Sequence, residues 1–164
     1  MRALAVAVAL LAWASAAEAA EWQAIRPGET VQSAMRTQFG SPTRMLSQKV
    51  EGYDSPQWVY EREQAPKGMT RVIIDFGVLT PQGYRADVVR LMTLEPHKGV
   101  FTRRAIVDGW GEPDSADVEG DKKVIRYLSG LFVYFDTAGW MAEKMYFTPP
   151  QTLRPAQAAP KPKP

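Results

Sequence analysis

The chain of 164 residues has no cysteine and a single histidine, His97. Without thiols there is no disulfide brace, no thiolate metal site, no thiol nucleophile and no lipid-bearing cysteine of the bacterial lipoprotein kind. One histidine alone leaves the usual sets of metal ligands and oriented catalytic bases incomplete. Beyond residue 20 no apolar run approaches the roughly 20 residues that a membrane-spanning helix needs. A strong charge is also missing. The nominal net charge of +2 comes from the ends, and residues 21–150 hold sixteen Lys and Arg against seventeen Asp and Glu. Nucleic-acid binding is driven by basic charge, so a near-neutral body argues against that partner class.

What the ends do contain is distinctive. Arg2 precedes an apolar stretch from Ala3 to Trp13, and Ala14-Ser15-Ala16 and Ala17-Glu18-Ala19 follow the small-x-small rule. Residues 1–20 therefore read as a secretory signal peptide, and a periplasmic or secreted mature chain is the expectation. At the other end, residues 151–164 are rich in Pro, Ala and Lys and close on Pro160-Lys161-Pro162-Lys163-Pro164. Such alternation disfavours helix and sheet ladders. The segment reads as a disordered tail that is able to make peripheral contact with a membrane.

The body carries an internal duplication. Gly28, Ala34, Phe39, Gly40 and Pro42 recur as Gly99, Ala105, Trp110, Gly111 and Pro113, every pair at an offset of 71. In the first copy Thr30 is a candidate helix N-cap, and Val31, Ala34, Met35 and Phe39 form an apolar stripe. In the second, Thr102 is the candidate cap, with Ala105, Ile106 and Trp110 on the stripe. Gly40 and Gly111 suit the left-handed position past a helix end, and a proline follows each. The expected division is repeat 1 over residues 21–94, a linker at Glu95 to Lys98, and repeat 2 over 99–150.

Strand-like stretches follow each helix: Gln57 to Arg62, Arg71 to Val78 and Tyr84 to Leu94, then Val124 to Leu128, Leu131 to Phe135 and Trp140 to Phe147. Ser129-Gly130 and Asp136 to Gly139 read as hairpin turns. The polar stretches Thr43 to Pro56 and Gln64 to Gly68 read as insertion loops in copy one. Alternation puts Val72, Ile74, Phe76, Leu131, Val133 and Phe135 on a buried face, joined by Trp58, Tyr60, Ile125 and Tyr127. The expected fold is thus α+β: two helix-plus-three-strand repeats forming one curved antiparallel sheet with short helices on one face.

The Gly-x(10)-aromatic-Gly-x-Pro pattern followed by three strands resembles the SmpA/OmlA family. Those are small outer-membrane lipoproteins of the β-barrel assembly machinery. The tandem arrangement is also similar to the β-lactamase-inhibitor-protein fold, in which two such units share a sheet whose concave face grips a partner protein. This chain departs from the assembly lipoproteins in lacking their cysteine and in carrying two units. The resemblance implies an envelope role, possible outer-membrane assembly, and a protein partner.

Candidate site residues lie on the strand positions opposite the core: Arg71, Asp75, Arg90, Arg126, Phe132, Tyr134, Lys144 and Tyr146. Rings mixed with guanidinium groups are the chemistry of protein interfaces. Two readings of Phe132 and Tyr134 stay open, a partner-binding face or a second buried face. His97 reads as a surface residue and Asp114, Asp117, Glu119 and Asp121 as a solvated loop. Asp87 with Glu95, or Asp75 with Asp136, are conceivable acid–base pairs that no spacing places across a bond. The expectation is a non-enzymatic protein-binding module of the cell envelope with no cofactor and no metal. The alternative is a small-ligand-binding protein or hydrolase with a cavity lined by Asp75, Arg71 and Tyr134.

Overall fold

The computed structural model describes residues 19–151. Residues 1–18 of the signal-peptide assignment (1–20) and residues 152–164 of the tail assignment (151–164) lie outside the described residues. Helix α1 spans Gln32–Phe39 and is followed by strands β1 (Arg44–Val50), β2 (Tyr53–Glu61), β3 (Met69–Thr80) and β4 (Gly83–Pro96). Helix α2 spans Arg103–Trp110 and is followed by β5 (Ser115–Glu119), β6 (Lys122–Arg126), β7 (Leu131–Phe135) and β8 (Ala142–Phe147). The strands form one eight-stranded sheet in the order β1-β2-β3-β4-β8-β7-β6-β5. Every pairing is antiparallel, and the two halves join where Met92, Thr93 and Leu94 meet Phe147, Tyr146 and Met145.

This corrects the expected fold class. Four strands, not three, follow each α-helix, and the described residues are mostly sheet with two short α-helices. The missed strands are β1, inside the presumed insertion loop, and β5, inside the presumed acidic loop. Both are the sheet's edges. All of β5 is exposed and most of β1 is exposed, so neither shows the alternation of apolar and polar residues that marks a half-buried strand. The linker assignment changes as well, because Glu95 and Pro96 end β4, with Glu95 opposite Arg71.

The core lies on one face. Val72, Ile74, Phe76, Leu131, Val133 and Phe135 are fully buried, as alternation requires, and Trp58, Tyr60, Ile125 and Tyr127 join them. Met35 of α1 and Ile106 of α2 are also fully buried in this cluster, so both helices cover the same side of the sheet. Ala34 and Ala105 face outward, contrary to the stripe expectation. Each helix is short, and burial of one large apolar side chain per helix supplies stability that its own hydrogen bonds cannot.

The helix ends explain the duplicated motif. Gly40 (φ 72°) and Gly111 (φ 83°) take left-handed conformations, and their N–H groups close back on Arg36 and Val107. The carbonyl of each glycine accepts a tyrosine hydroxyl from the sheet, Tyr60 to Gly40 at 3.3 Å and Tyr127 to Gly111 at 2.9 Å. At the other end the copies differ. Thr102 caps α2 through the Ala105 N–H at 3.1 Å. Val31, not Thr30, is the cap position of α1, with no side-chain bond there; Thr30 Oγ1 instead accepts from the Arg26 N–H.

Candidate functional site

The face opposite the core is organised in rows that run across the strands. One row pairs Val59 with Ile73, Ile73 with Thr93, Thr93 with Tyr146, Tyr146 with Phe132 and Phe132 with Arg126. The neighbouring row pairs Glu61 with Arg71, Arg71 with Glu95, Lys144 with Tyr134 and Tyr134 with Val124. Because side chains alternate along a strand, the members of both rows point to the same side. An apolar and aromatic band therefore lies beside an ionic one.

The ionic band is largely self-neutralised. Arg71 grips Glu95 with two hydrogen bonds, at 3.0 and 2.8 Å, and Lys144 reaches the same carboxylate at 3.4 Å. The hydrogen bond from Arg71 holds Glu95 below the usual carboxylate range against the opposing effect of burial, and Glu95 in turn raises Arg71. At the end of the neighbouring apolar row, Arg126 forks between Asp117 and Glu119. Tyr134 donates to Glu119 at 2.8 Å. Burial first, and that hydrogen bond second, push the Tyr134 phenol up. Tyr134 meets Tyr146 edge to face, with ring centroids 5.5 Å apart.

Asp75 is the buried carboxylate of this face. Its Oδ1 accepts from Gln48 at 2.5 Å and Gln57 at 2.7 Å. Arg90 approaches it only to 4.0 Å, beyond hydrogen-bond range. Arg90 reaches this side because β3 and β4 slip register between Asp75 and Phe76, leaving an extra residue opposite Asp75.

All eight sequence-derived site residues thus belong to one side of the sheet. Arg71, Asp75, Arg126, Phe132, Tyr134, Lys144 and Tyr146 arrive there by register and Arg90 through the bulge. Phe132, Tyr134 and Tyr146 are half-buried and stand outside the core cluster, which separates them from the closed interior. Their anionic partners Glu95, Asp117 and Glu119, and the amides Gln48 and Gln57, were missed because most lie in segments that read as linker or loop. The signal available for Glu95 was its parity with Thr93 on the β4 strand.

The remaining candidates do not assemble. Arg71 and Tyr134 line separate shallow depressions, one shared with His97 and the other with Lys144 and Tyr146. His97 Nδ1 lies 3.1 Å from Thr70 Oγ1 on the surface. Asp87 pairs with Arg85, Glu95 with Arg71, and Asp136 accepts from the backbone N–H groups of Gly139, Trp140 and Met141. Those backbone bonds hold the Asp136 carboxyl below its ordinary range. Among the described residues no three His, Asp or Glu side chains converge as a metal site requires. No helix among them is long and apolar enough to cross a membrane.

No protein-family model and no curated protein matches the chain. Among solved structures it is similar to a DUF4309 family protein, YjgB, from Bacillus subtilis, at 11% identity and a TM-score of 0.47, over 77% of this chain and 83% of that one.

Proposed function

We propose that the protein is an exported, non-enzymatic protein-binding module of the cell envelope, and that it docks its partner on the open face of the sheet. The observation that carries this reading is the pair of rows just described. Half-buried rings of Phe132, Tyr134 and Tyr146 run beside a chain of ion pairs outside the core cluster. Aromatic area supplies binding energy when a partner excludes water, and the flanking charges set register and reject wrong partners. The signal-like residues 1–20 support export, with a periplasmic location as the finer reading. The same face suits an accessory role in envelope or outer-membrane assembly.

Site-specific photocrosslinking tests it. A benzoylphenylalanine at position 132 should give a discrete crosslinked band in cells, and the same group at Arg104, highly exposed on α2, should not. Adding Tyr134→Ala and Tyr146→Ala should remove the band. Equal crosslinking from both positions, or none from 132, overturns the reading.

A further inference from the structure

Strands β1 and β5 are the two free edges of the sheet, and the hairpins that end them fix which backbone groups point outward. Glu51 (φ 50°) and Gly52 (φ 87°) make a two-residue turn with two positive φ angles, so the flanking Val50 and Tyr53 exchange backbone hydrogen bonds. Alternation along the strand then turns the N–H and C=O groups of Met45, Ser47 and Lys49 away from β2. In the other half, Gly120 (φ 62°) and Asp121 close a two-residue turn between Glu119 and Lys122, which turns the same groups of Ala116 and Val118 away from β6. Among the described residues, no backbone hydrogen bond from a turn, loop or cap reaches these five positions.

The side chains of the two edges are complementary. Met45 is 64% exposed and Val118 68%. Met45 stands opposite Trp58 of the core, and Val118 shares the side of Ala116, which stands opposite Ile125, so both apolar side chains lie on the helix side. Strand β1 carries Arg44 and Lys49 and no acid, whereas β5 carries Asp117 and Glu119 and no base, with Asp114 just before it. Within the chain Arg44 meets Glu61 at 3.2 Å, Lys49 meets Asp54 at 2.8 Å, and Arg126 meets Asp117 and Glu119. Such exposed pairs are worth little and can be shared with a newcomer. Charges on an edge normally keep it from pairing. Here they oppose like edges, since two copies of β5 would bring their acids together, but they do not oppose β1 against β5.

We propose that the protein binds a second copy of itself head to tail, with β5 of one copy pairing antiparallel to β1 of the next. The eight strands alternate in direction, so β1 and β5 run oppositely. A copy laid alongside in the same orientation therefore continues the antiparallel order. Pairing Met45 with Val118 and Ser47 with Ala116 matches the outward backbone groups of both edges. That one register also sets Arg44 against Glu119 and Lys49 against Asp114, with Leu46 against Asp117 as its one mismatch. It keeps each side chain on its own side, so the helices of successive copies share one face of the joined sheet and the open faces share the other. The contact is heterologous, and each copy keeps a free edge for the next. This inference does not rest on the protein-binding reading.

A five-residue edge falls short of the roughly 1,200 Å² of a stable interface, so the association is weak, with a Kd of about 10 μM to 1 mM. Sedimentation of the protein purified from cells that express the full chain should show a mass that rises with concentration. Ser47→Pro removes an outward N–H from β1 and Val118→Pro removes one from β5, and neither N–H belongs to the β1–β2 or β5–β6 ladder. Each variant alone should stay monomeric. A 1:1 mixture should form a dimer and stop there, because each variant supplies the edge that the other has lost, and that dimer also shows that both fold. Where a proline unfolds its strand, Leu46→Cys and Asp117→Cys, both at exposed positions of a chain without cysteine, replace the pair. These positions oppose each other in the joined sheet, so mild oxidation of the mixture should give the mixed disulfide in about tenfold excess or more over either like pair. A monomer at every concentration up to about 1 mM, growth of either proline variant alone, no dimer from the folded proline pair, or like-pair disulfides as abundant as the mixed one overturns the proposal.

Discussion

Replacing Tyr127 by Phe removes one oxygen and keeps the ring, so it isolates the bond that ties the sheet to the end of α2. The ring is buried at 4% exposure and its hydroxyl donates to the Gly111 carbonyl at 2.9 Å. Gly111 itself is exposed, so its carbonyl recovers water in the variant and the full penalty of a stranded acceptor does not apply. The expected cost is about 1 kcal/mol, a net hydrogen bond, which lowers the melting temperature by roughly 4 °C for a domain of this size. The equivalent bond from Tyr60 to Gly40 is longer, 3.3 Å, so Tyr60→Phe should cost about half as much at neutral pH. Urea unfolding of both variants reads this directly, with the slope unchanged and only the midpoint moved. Tyr60→Phe costing more than Tyr127→Phe, or Tyr127→Phe costing nothing, refutes the tether. Tyr60 carries a second signature. Burial, opposed by Arg36, pushes its phenol up to about 12 from its ordinary 10. The stability this represents is fully present below pH 10 and is lost as pH rises toward 12, about 2–3 kcal/mol in all. Tyr60→Phe should lack that alkaline loss.

Three further outcomes follow from the same geometry. Val31→Thr supplies α1 with the side-chain cap that Thr102 gives α2, at nearly constant shape, and should raise stability by up to about 1 kcal/mol in urea unfolding; a loss would show that the Val31 methyl groups matter more. A Cβ at Gly130 (φ 102°) would stand 2.1 Å from the Thr148 carbonyl oxygen, whereas one at Gly120 (φ 62°) meets nothing within 4 Å. Gly130→Ala should therefore destabilise by well over the roughly 1 kcal/mol expected for Gly120→Ala, and equal midpoints would contradict the packing. Glu95 titrates below the usual carboxylate range in the folded protein, so its contribution is present above the unfolded value of about 4.3 and is lost as pH falls through the folded one. Glu95→Gln should flatten the acid limb of a stability-versus-pH curve, and an unchanged limb would remove the Arg71–Glu95 pair from the account.

The residues that were legible in advance share one property: their burial is decided within the strand. Val72, Ile74 and Phe76 alternate with Arg71, Ile73 and Asp75, and a period of two sorts them to opposite faces without knowledge of any neighbour. Leu131 to Phe135 behave the same way, and β7 has the bounds its pattern gives. Gly40 and Gly111 announced helix ends because a positive φ there favours glycine. The eight site residues were found through the same alternation. Their partners were not. By sequence Glu95 reads as part of a Pro-containing linker and Glu119 as part of a loop. Nothing local says that Glu95 will meet Arg71 from the next strand and Lys144 from the other half of the sheet.

The amino-acid sequence by itself determined the two helix stops, the inner strands and the division of their side chains into a core face and a polar face, because propensity and periodicity act over a few residues. Only the tertiary structure decided that β1 and β5 are strands, since an exposed edge has one neighbour and no buried side to leave a pattern. It also decided that β4 pairs with β8, which merges the two halves into one face and lines Ile73, Thr93, Tyr146 and Phe132 into a single row. The register slip that delivers Arg90 beside Asp75 belongs to that level too, because a bulge is a property of two strands and not of either one.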